Sequence, residues 1–329
     1  MKKVIYLILS IVIILTLVLS LASCSQDTSK VRIGVLNGTT GIGIAKLYSD
    51  IKNNSETQYE ISVYSDQMTM QADISAGNLD IAAMATSDAA VYYNSNTQKQ
   101  APIQIAAVNT LSVLYVVTTE TDINSLDDLS GKTVYLPTPE GQSPDVIFRA
   151  LLAKKGLTNK VTLVNSASPS ALLPQVIKGN AKIAVMPEPL VTNATAKLAQ
   201  NGLTLRNIID IGKEWGDEAP IAQGCLVVRS DFVKEHKSLV KQFLSDYKES
   251  VEYISNPENL DSAAKLVSEM TDLGMTEAVA KKALPNCKLA CITGKEMKNT
   301  LEPFYSAIYN INRDSINGAI PDDDFYYTK

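Results

Sequence analysis

A nine-residue phrase occurs twice in the chain, and this repeat limits the folds that the chain can adopt. Residues 76–84 and 178–186 share a Gly-Asn pair, an Ile-Ala pair and a Met at identical internal spacing, 102 positions apart. In each copy the Gly-Asn pair ends a helical pattern and an apolar run follows, which predicts a helix leading into a buried strand. Two copies at so long a period indicate a duplicated α/β domain rather than a solenoid. Coincidence between two α/β units is the alternative, because Gly-Asn is a common helix terminator.

The segments around each copy alternate between strand-like and helical patterns. Short β-rich runs at residues 31–36, 61–64 and 81–85 are each followed by apolar residues at helical spacing. The alternation predicts an α/β fold in which each half is a mostly parallel sheet flanked by helices. Two longer β-rich stretches, residues 103–117 and 223–229, are the predicted crossovers between the halves.

We therefore expect a two-lobed clamshell with two hinge crossovers. Lobe one is predicted to comprise residues 31–112 and 226–329, and lobe two residues 113–225. The helical tail after residue 231 is expected to pack on lobe one, where the return crossover ends. Ligands of open parallel sheets bind beyond the carboxyl ends of the strands. The cleft between the lobes is the expected binding site.

The amino terminus has the pattern of an export signal. Lys2 and Lys3 precede an uncharged, mostly aliphatic run, and residues 21–24 read Leu-Ala-Ser-Cys, which resembles the bacterial lipobox. The resemblance implies cleavage before Cys24 and a diacylglycerol on its sulfur. We expect a signal peptide at residues 1–23, a lipid-anchored tether at residues 24–30 and a position on the outer face of the cytoplasmic membrane. An uncleaved membrane-spanning helix is the alternative, because about 20 apolar residues can cross a bilayer.

The composition excludes several classes of protein. The chain has 30 basic and 35 acidic residues, a net charge of -5, so nucleic-acid binding through bulk positive charge is not expected. His236 is the only histidine and lies in a charged helical stretch, which disfavours histidine metal sites and Ser-His nucleophiles. Cys287 and Cys291 form a lone C-x3-C without a second pair, a weak zinc signal. We expect no metal, no cofactor, no catalytic residue and a monomer.

Four phrases resemble the substrate-binding proteins of ABC importers, specifically the nitrate/sulfonate/taurine and thiamine-pyrimidine-precursor branch. They lie at residues 32–35, 77–82, 125–134 and 227–232, and the most specific is the third, in which residues 126–132 read Leu-Asp-Asp-Leu-Ser-Gly-Lys. The resemblance implies a type II periplasmic-binding-protein-like fold and a transport function without enzymatic activity. It also implies partners: a small-molecule solute, a membrane permease and, through it, a cytoplasmic ATPase.

Polar residues follow the predicted strand ends in both lobes. Such residues can bind a ligand, but Ser, Thr and Asn are also common as helix caps and turn residues. We predict ligand contacts from lobe one, the first crossover, lobe two and the mouth of the cleft, in that order: Asn37, Thr39, Thr40, Gly41, Ser65, Asp66, Thr86, Ser87; Asn109; Thr138, Gln142, Ser143, Ser166, Ser168, Glu188; and Trp215.

The predicted mouth loops are rich in carboxylates and hold Lys213 as their only lysine, with no arginine. An anion would need strong backbone donors to offset those carboxylates. We therefore predict a small neutral or cationic solute, such as a pyrimidine-like molecule, with Glu188 accepting from an amine or ring N–H. A sulfonate or nitrate-like anion held by Thr39, Thr40 and helix N-termini is the alternative. An enzyme on the same fold and a lipid-anchored sensor are the alternatives from other classes.

Overall fold

The structure is a computed structural model that describes residues 30–54, 58–96, 102–216 and 220–328. The predicted signal peptide, Cys24 and the tether up to residue 29 lie outside the described residues. Within the described ranges, no helix combines the length and the apolar character needed to cross a bilayer.

The described strands form two separate sheets. The first sheet has six strands in the order β11-β4-β10-β3-β1-β2, and the second has five in the order β7-β6-β8-β5-β9. In chain order the strands are β1 (Val31–Leu36), β2 (Tyr59–Tyr64), β3 (Ile81–Ala85), β4 (Ile103–Leu111), β5 (Leu114–Thr118), β6 (Thr133–Leu136), β7 (Thr162–Asn165), β8 (Ile183–Pro187), β9 (Arg206–Asp210), β10 (Ala222–Arg229) and β11 (Leu289–Thr293).

Helices cover both sheets. In chain order they are α1 (Thr39–Ile42), α2 (Ala45–Asn53), α3 (Gln67–Ala76), α4 (Thr86–Asn96), α5 (Ser143–Lys154), α6 (Pro169–Ile177), α7 (Leu190–Gln200), α8 (Ile211–Trp215), α9 (Ser230–Glu235), α10 (Lys237–Ser255), α11 (Leu260–Glu269), α12 (Glu277–Ala283) and α13 (Gly294–Ile311). Short 3-10 turns lie at Asp127–Leu129, Pro257–Asn259, Thr271–Leu273, Leu284–Asn286, Arg313–Ile316 and Asp323–Phe325.

The two sheets share one topology, which confirms the predicted two-lobed α/β fold. In each sheet three parallel strands (β2-β1-β3 and β7-β6-β8) are followed by an antiparallel strand, β10 or β5, at the same place. The repeated sequence phrase maps onto the helix end and strand at the centre of each sheet. Gly77 and Gly179 both adopt a left-handed conformation, with φ of 78° and 75°, which glycine accepts without a steric penalty.

The apolar side chains form three clusters that account for both faces of each sheet. One cluster lies between the first sheet and α2, α10, α11 and α12. A second lies between the second sheet and helices α6 and α7. The third is continuous across the remaining faces of both sheets and includes the last helix, α13. Because each sheet is buried on both faces, its functional groups are confined to the strand ends and the edges.

The carboxyl-terminal tail was expected to pack on lobe one, and its last helix also contacts lobe two. Helices α10 and α11 pack on α2 beside the first sheet. Helix α13 contacts β4, β10 and β11 of the first sheet and also α5 beside the second. The Phe304 ring of α13 lies 6.4 Å from the Trp215 ring of α8, centroid to centroid. The apolar face of α13 thus holds the two lobes together.

The second crossover enters the first sheet early. Strand β10 starts at Ala222 and pairs with β3 and β4 along its length. Residues 222–225 were predicted to belong to lobe two, but they lie in a strand of the first sheet. At this crossover the Gln223 side chain accepts a 3.0 Å hydrogen bond from the backbone N–H of Val113.

Candidate ligand-binding cleft

A cavity of about 650 Å³ lies between the two sheets, at the carboxyl ends of their parallel strands. This volume lies within the range of pockets that hold drug-sized molecules, roughly 300–1,000 Å³. The first lobe lines the cavity with Leu36, Asn37, Gly38, Thr39, Thr40, Ser65, Gln223, Leu273, Gly274 and Met275. The second lobe lines it with Ser168, Pro169, Ser170, Leu173, Pro174, Ile177, Lys178, Pro187, Glu188, Pro189, Leu190, Asn193 and Lys197.

The turn after β1 forms the first-lobe floor of the cavity. Helix α1 packs so closely on β1 that a Cβ atom at Gly41 would lie 2.2 Å from the carbonyl oxygen of Leu36. The amide of the buried Asn109 donates a 3.2 Å hydrogen bond to the carbonyl of Thr40. These two contacts fix the backbone that presents Thr39 and Thr40 to the cavity.

Two helix starts form the polar part of the second-lobe wall. Ser168 caps α6, with its hydroxyl accepting a 3.2 Å hydrogen bond from the N–H of Ala171. Glu188 precedes α7 through a cis peptide bond to Pro189. Its carboxylate accepts hydrogen bonds from the backbone N–H of Thr192 at 3.2 Å and from the Thr192 hydroxyl at 3.1 Å.

Glu188 is a buried carboxyl group beside the cavity, with 3% of the residue exposed. Burial raises its pKa above the ordinary range, and the hydrogen bonds from Thr192 oppose that rise. Within the described residues, Glu188 forms no ion pair with a lysine or arginine.

The rest of the cavity wall is largely apolar. Leu173, Pro174 and Ile177 of α6 and Leu190 of α7 line one side. Leu273 and Met275 line the other, from the 3-10 turn and loop between α11 and α12. Apolar walls with a few placed polar groups are typical of sites for small organic molecules.

A second cavity of about 130 Å³ adjoins the first and shares Leu36, Thr39, Thr40 and Gln223 with it. Asp88 of α4 lines this smaller cavity and accepts a hydrogen bond from the side-chain amide of Gln67. Burial raises the pKa of Asp88 to about 6, while hydrogen bonding, including to the backbone N–H of Ser143, opposes the rise. The two cavities together form one cleft with a carboxyl group in each part.

The structure brings many of the predicted contacts together and extends their number. The predicted residues that line one or both cavities are Asn37, Thr39, Thr40, Ser65, Thr138, Gln142, Ser143, Ser168 and Glu188. They come from both lobes, and each follows a strand end directly or starts the next helix.

Other predicted contacts lie behind the cavity wall. Gly41, Thr86, Ser87 and Asn109 are buried but line neither cavity. Their places are explained by local structure: Gly41 permits the close packing of α1, and Asn109 holds Thr40. Gly41 and Asn109 therefore act on the cleft through the backbone of α1 that they position.

Asp66, Ser166 and Trp215 do not line either cavity. The Asp66 side chain caps α3 by accepting a 2.7 Å hydrogen bond from the N–H of Thr69. Ser166 donates its backbone N–H to the carbonyl of Leu136. Trp215 is 3% exposed and packs on α13, so its expected place at the mouth is corrected to the apolar core.

Two lysines near helix ends line the larger cavity without having been predicted. The sequence predicted Lys213 as the only lysine near the mouth, but Lys178 and Lys197 line the larger cavity and are exposed. The prediction also missed Gln67, Gln223 and the apolar side chains of α6, α7 and the 271–275 turn. The prediction considered only the residues that follow strand ends. These other groups lie on the sides of helices or come from a distant part of the chain.

The histidine and the described cysteines line neither cavity. His236 lies between α9 and α10 with its ring 4.7 Å from that of Phe232. Cys225, Cys287 and Cys291 are free thiols. In the described part of the chain, no three His, Cys, Asp or Glu side chains are grouped as metal ligands.

The chain resembles known binding proteins in sequence and in fold. A family model described as "ABC transporter, phosphonate, periplasmic substrate-binding protein" matches residues 43–281. The chain matches no curated protein sequence.

Solved structures share the fold at low sequence identity. An ABC transporter structure from Parabacteroides distasonis matches with a TM-score of 0.73 and 20% identity over 92% of this chain and 99% of that one. The periplasmic aliphatic sulphonate binding protein SsuA from Escherichia coli matches with a TM-score of 0.66 and 15% identity, covering 87% and 93%. The periplasmic nitrate-binding protein NrtA from Synechocystis matches with a TM-score of 0.62 and 14% identity, covering 91% and 84%.

Proposed function

Because the chain belongs to the family of ABC-transporter periplasmic substrate-binding proteins, we propose that it captures a small neutral or cationic solute between its lobes and delivers it to a permease. The permease is in turn driven by a cytoplasmic ATPase. The solute is bound in the cleft formed by the two cavities, where groups from both lobes converge.

The environment of Glu188 is the observation that supports a neutral or cationic ligand. The carboxylate is 3% exposed, adjoins the cavity and has hydrogen-bond donors only from Thr192 among the described residues. Each carboxylate oxygen can accept more than one hydrogen bond. An amine or ring N–H would satisfy it, whereas an oxyanion would place like charges together in a poorly solvated site.

The apolar wall supports a ligand with an organic body rather than a small inorganic ion. Leu173 and Ile177 of α6 lie on one side of the cavity, and Met275 on the other. Burying a ring or short alkyl chain between them is favourable by roughly 25 cal/mol for each Å² of apolar surface. A flat heteroaromatic molecule with an exocyclic amine, such as a pyrimidine, combines both features.

The test is a thermal-shift screen of the full chain purified in mild detergent. The panel contains vitamins and their pyrimidine precursors, amines, sulfonates, phosphonates and nitrate. A true ligand at a hundred times its Kd should stabilise the folded state by about 2.7 kcal/mol. If no neutral or cationic solute moves the midpoint, the proposed ligand class is wrong.

A sulfonate-like or nitrate-like anion is the second candidate. Lys178 and Lys197 line the larger cavity, and the Thr39 and Thr40 side chains are available as donors. Solved relatives are named for sulphonate and nitrate. A midpoint shift by sulfonate or nitrate, and none by amines or pyrimidines, would favour this candidate.

We propose further that the protein is a monomer anchored by a lipid on Cys24. The support is the lipobox-like sequence and the polar tether that follows it. Mass spectrometry of the mature protein should find a diacylglycerol on an amino-terminal Cys24, and Cys24→Ser should abolish that modification. An intact Met1 terminus in the membrane fraction would contradict the anchor.

A further inference from the structure

The smaller cavity has the donors of an oxyanion site. It lies at the start of the twelve-residue helix α5, whose N-cap residue Gln142 makes no side-chain capping bond. Ser143 is 2% exposed, and its hydroxyl has no hydrogen-bond partner among the described residues. The Thr138 hydroxyl oxygen is also buried and also has no hydrogen-bond partner among the described residues. Pro144, the second residue of α5, has no N–H, so the donors at this helix start are the Ser143 backbone N–H and the two unpaired hydroxyls. Together they favour a negatively charged group.

The protein supplies such a group from its other lobe. Asp88 belongs to α4 of the first lobe, whereas Ser143 starts α5 of the second. The Asp88 carboxylate lines the cavity and interacts with the backbone N–H of Ser143. The side-chain amide of Gln67 donates to it from α3. The negatively charged group at the start of α5 is therefore the carboxylate of Asp88, a residue of the protein itself.

Asp88 has spare capacity as an acceptor. It forms no ion pair with a lysine or arginine of the described residues. Asp88 lines the smaller cavity, which adjoins the larger one through the shared lining residues Thr39, Thr40 and Gln223. A ligand in the larger cavity can therefore extend a group to Asp88.

We propose that Asp88 determines the sign of the charge that the cleft accepts: its carboxylate excludes oxyanions from the smaller cavity and makes that cavity a subsite for an N–H-bearing, cationic group of the ligand. This inference rests on the proposed solute-capture function and assigns a second acceptor beside Glu188. The hydroxyls of Thr138 and Ser143 then serve as acceptors for the same group, because a hydroxyl can donate or accept.

The test asks whether removing the charge of Asp88 opens the site to oxyanions. The full chain in mild detergent is titrated with methylphosphonate and with methanesulfonate by isothermal calorimetry at pH 7.5. The proteins are the wild type, Asp88→Asn and Asp88→Ala. Asp50→Asn is the matched control, because Asp50 is an exposed carboxylate of α2 outside both cavities.

We expect at least one oxyanion to bind Asp88→Asn roughly 100-fold more tightly than the wild type, because a like charge a few Å away has been removed. Asp88→Ala should show the same gain, and it serves if the Asn variant fails to fold. Asp50→Asn should match the wild type. Circular dichroism establishes that each variant is folded.

Equal oxyanion affinities in the wild type and in both folded Asp88 variants would overturn the inference, whether those affinities are strong or undetectable. That result is distinct from failure of the proposed function. The proposed function depends on midpoint shifts of the wild type with neutral or cationic solutes, which the Asp88 variants do not enter.

Discussion

The two lobes share a topology but end their third parallel strands differently. Strand β3 runs directly into α4, and the carboxylate that reaches the cleft, Asp88, lies within the first turn of that helix. Strand β8 ends in Pro187, and Glu188 reaches the cleft before α7 starts. The shared topology fixes where helix starts meet the cleft, while the residues at those starts differ and set its charge.

The two carboxylates also differ in what holds them. Glu188 is bound by Thr192 of its own lobe. Asp88 is held by Gln67 of its own lobe and also faces Ser143 of the other. Glu188 is thus held within one lobe, whereas Asp88 also contributes to the contact between the lobes.

The largest expected effect concerns the first of two glycines that lie near the cleft-facing helix starts of the two lobes, Gly41 within α1 and Gly141 in the turn before α5. Gly41→Ala should destabilise the protein by about 3 kcal/mol, because its Cβ would lie 2.2 Å from the carbonyl oxygen of Leu36 and force the backbone apart. Urea unfolding of the purified chain measures the loss. A change smaller than that of Gly141→Ala would contradict the close packing of α1 on β1.

Glu188→Gln should weaken binding of the best neutral or cationic solute by about 100-fold, roughly 2.7 kcal/mol, because a charged acceptor becomes a neutral one. Isothermal calorimetry at pH 7.5 measures the change. Glu214→Gln is the matched control, since Glu214 is an exposed residue of the same lobe paired with Lys155. Unchanged affinity in Glu188→Gln would remove this carboxylate from the site.

Asp88→Asn should stabilise the folded protein at pH 7.5 by about 2 kcal/mol. Burial raises the pKa of Asp88 from the ordinary value of 3.8 to about 6. Between those values the folded protein binds more protons than the unfolded chain, so the free energy of unfolding falls as the pH rises. The amide side chain of Asp88→Asn does not ionise, so the variant does not lose this free energy of unfolding as the pH rises.

The check on Asp88→Asn is urea unfolding at two pH values. The stabilisation should be present at pH 7.5 and small near pH 4, where the wild-type carboxyl is protonated in the folded state. An equal effect at both pH values would show that the variant acts through packing rather than charge.

The smallest expected effect is that of Gly141→Ala, a loss of about 1 kcal/mol. Gly141 has a φ of 84°, and no atom lies within 4 Å of the place where a Cβ would be. Only the backbone conformation opposes the substitution, so urea unfolding should show a smaller loss than Gly41→Ala. A loss as large as that of Gly41→Ala would mean that the two glycines serve the same purpose.

The sequence predicted the architecture well because the fold depends on patterns that are local. The paired phrases at residues 76–84 and 178–186 mark the same helix end and strand in both sheets. The strand-end rule then located Thr39, Ser143 and Glu188 at the cleft. Each of these residues lies within a few positions of a recognisable strand.

The rest of the cleft depends on packing that has no local signature. Met275 reaches the cavity from a loop far along the chain, and Ile177 from the flank of a helix. Trp215 stands among polar residues in the sequence, yet it packs on Phe304, almost ninety positions later. Such pairings are fixed only when the helices are placed on the sheets.

Helix α13 has a mechanical consequence for release of the solute. It is packed against both halves of the molecule and lines neither cavity. Pulling the halves straight apart would expose its apolar seam to water, at a cost proportional to the area uncovered. Rotating the lobes about α13 would keep its apolar face buried, so the lobes would separate most at the side of the cleft farthest from α13. Replacing Phe304 with a smaller residue would weaken the packing of α13 and change how far the lobes open, although Phe304 lines neither cavity.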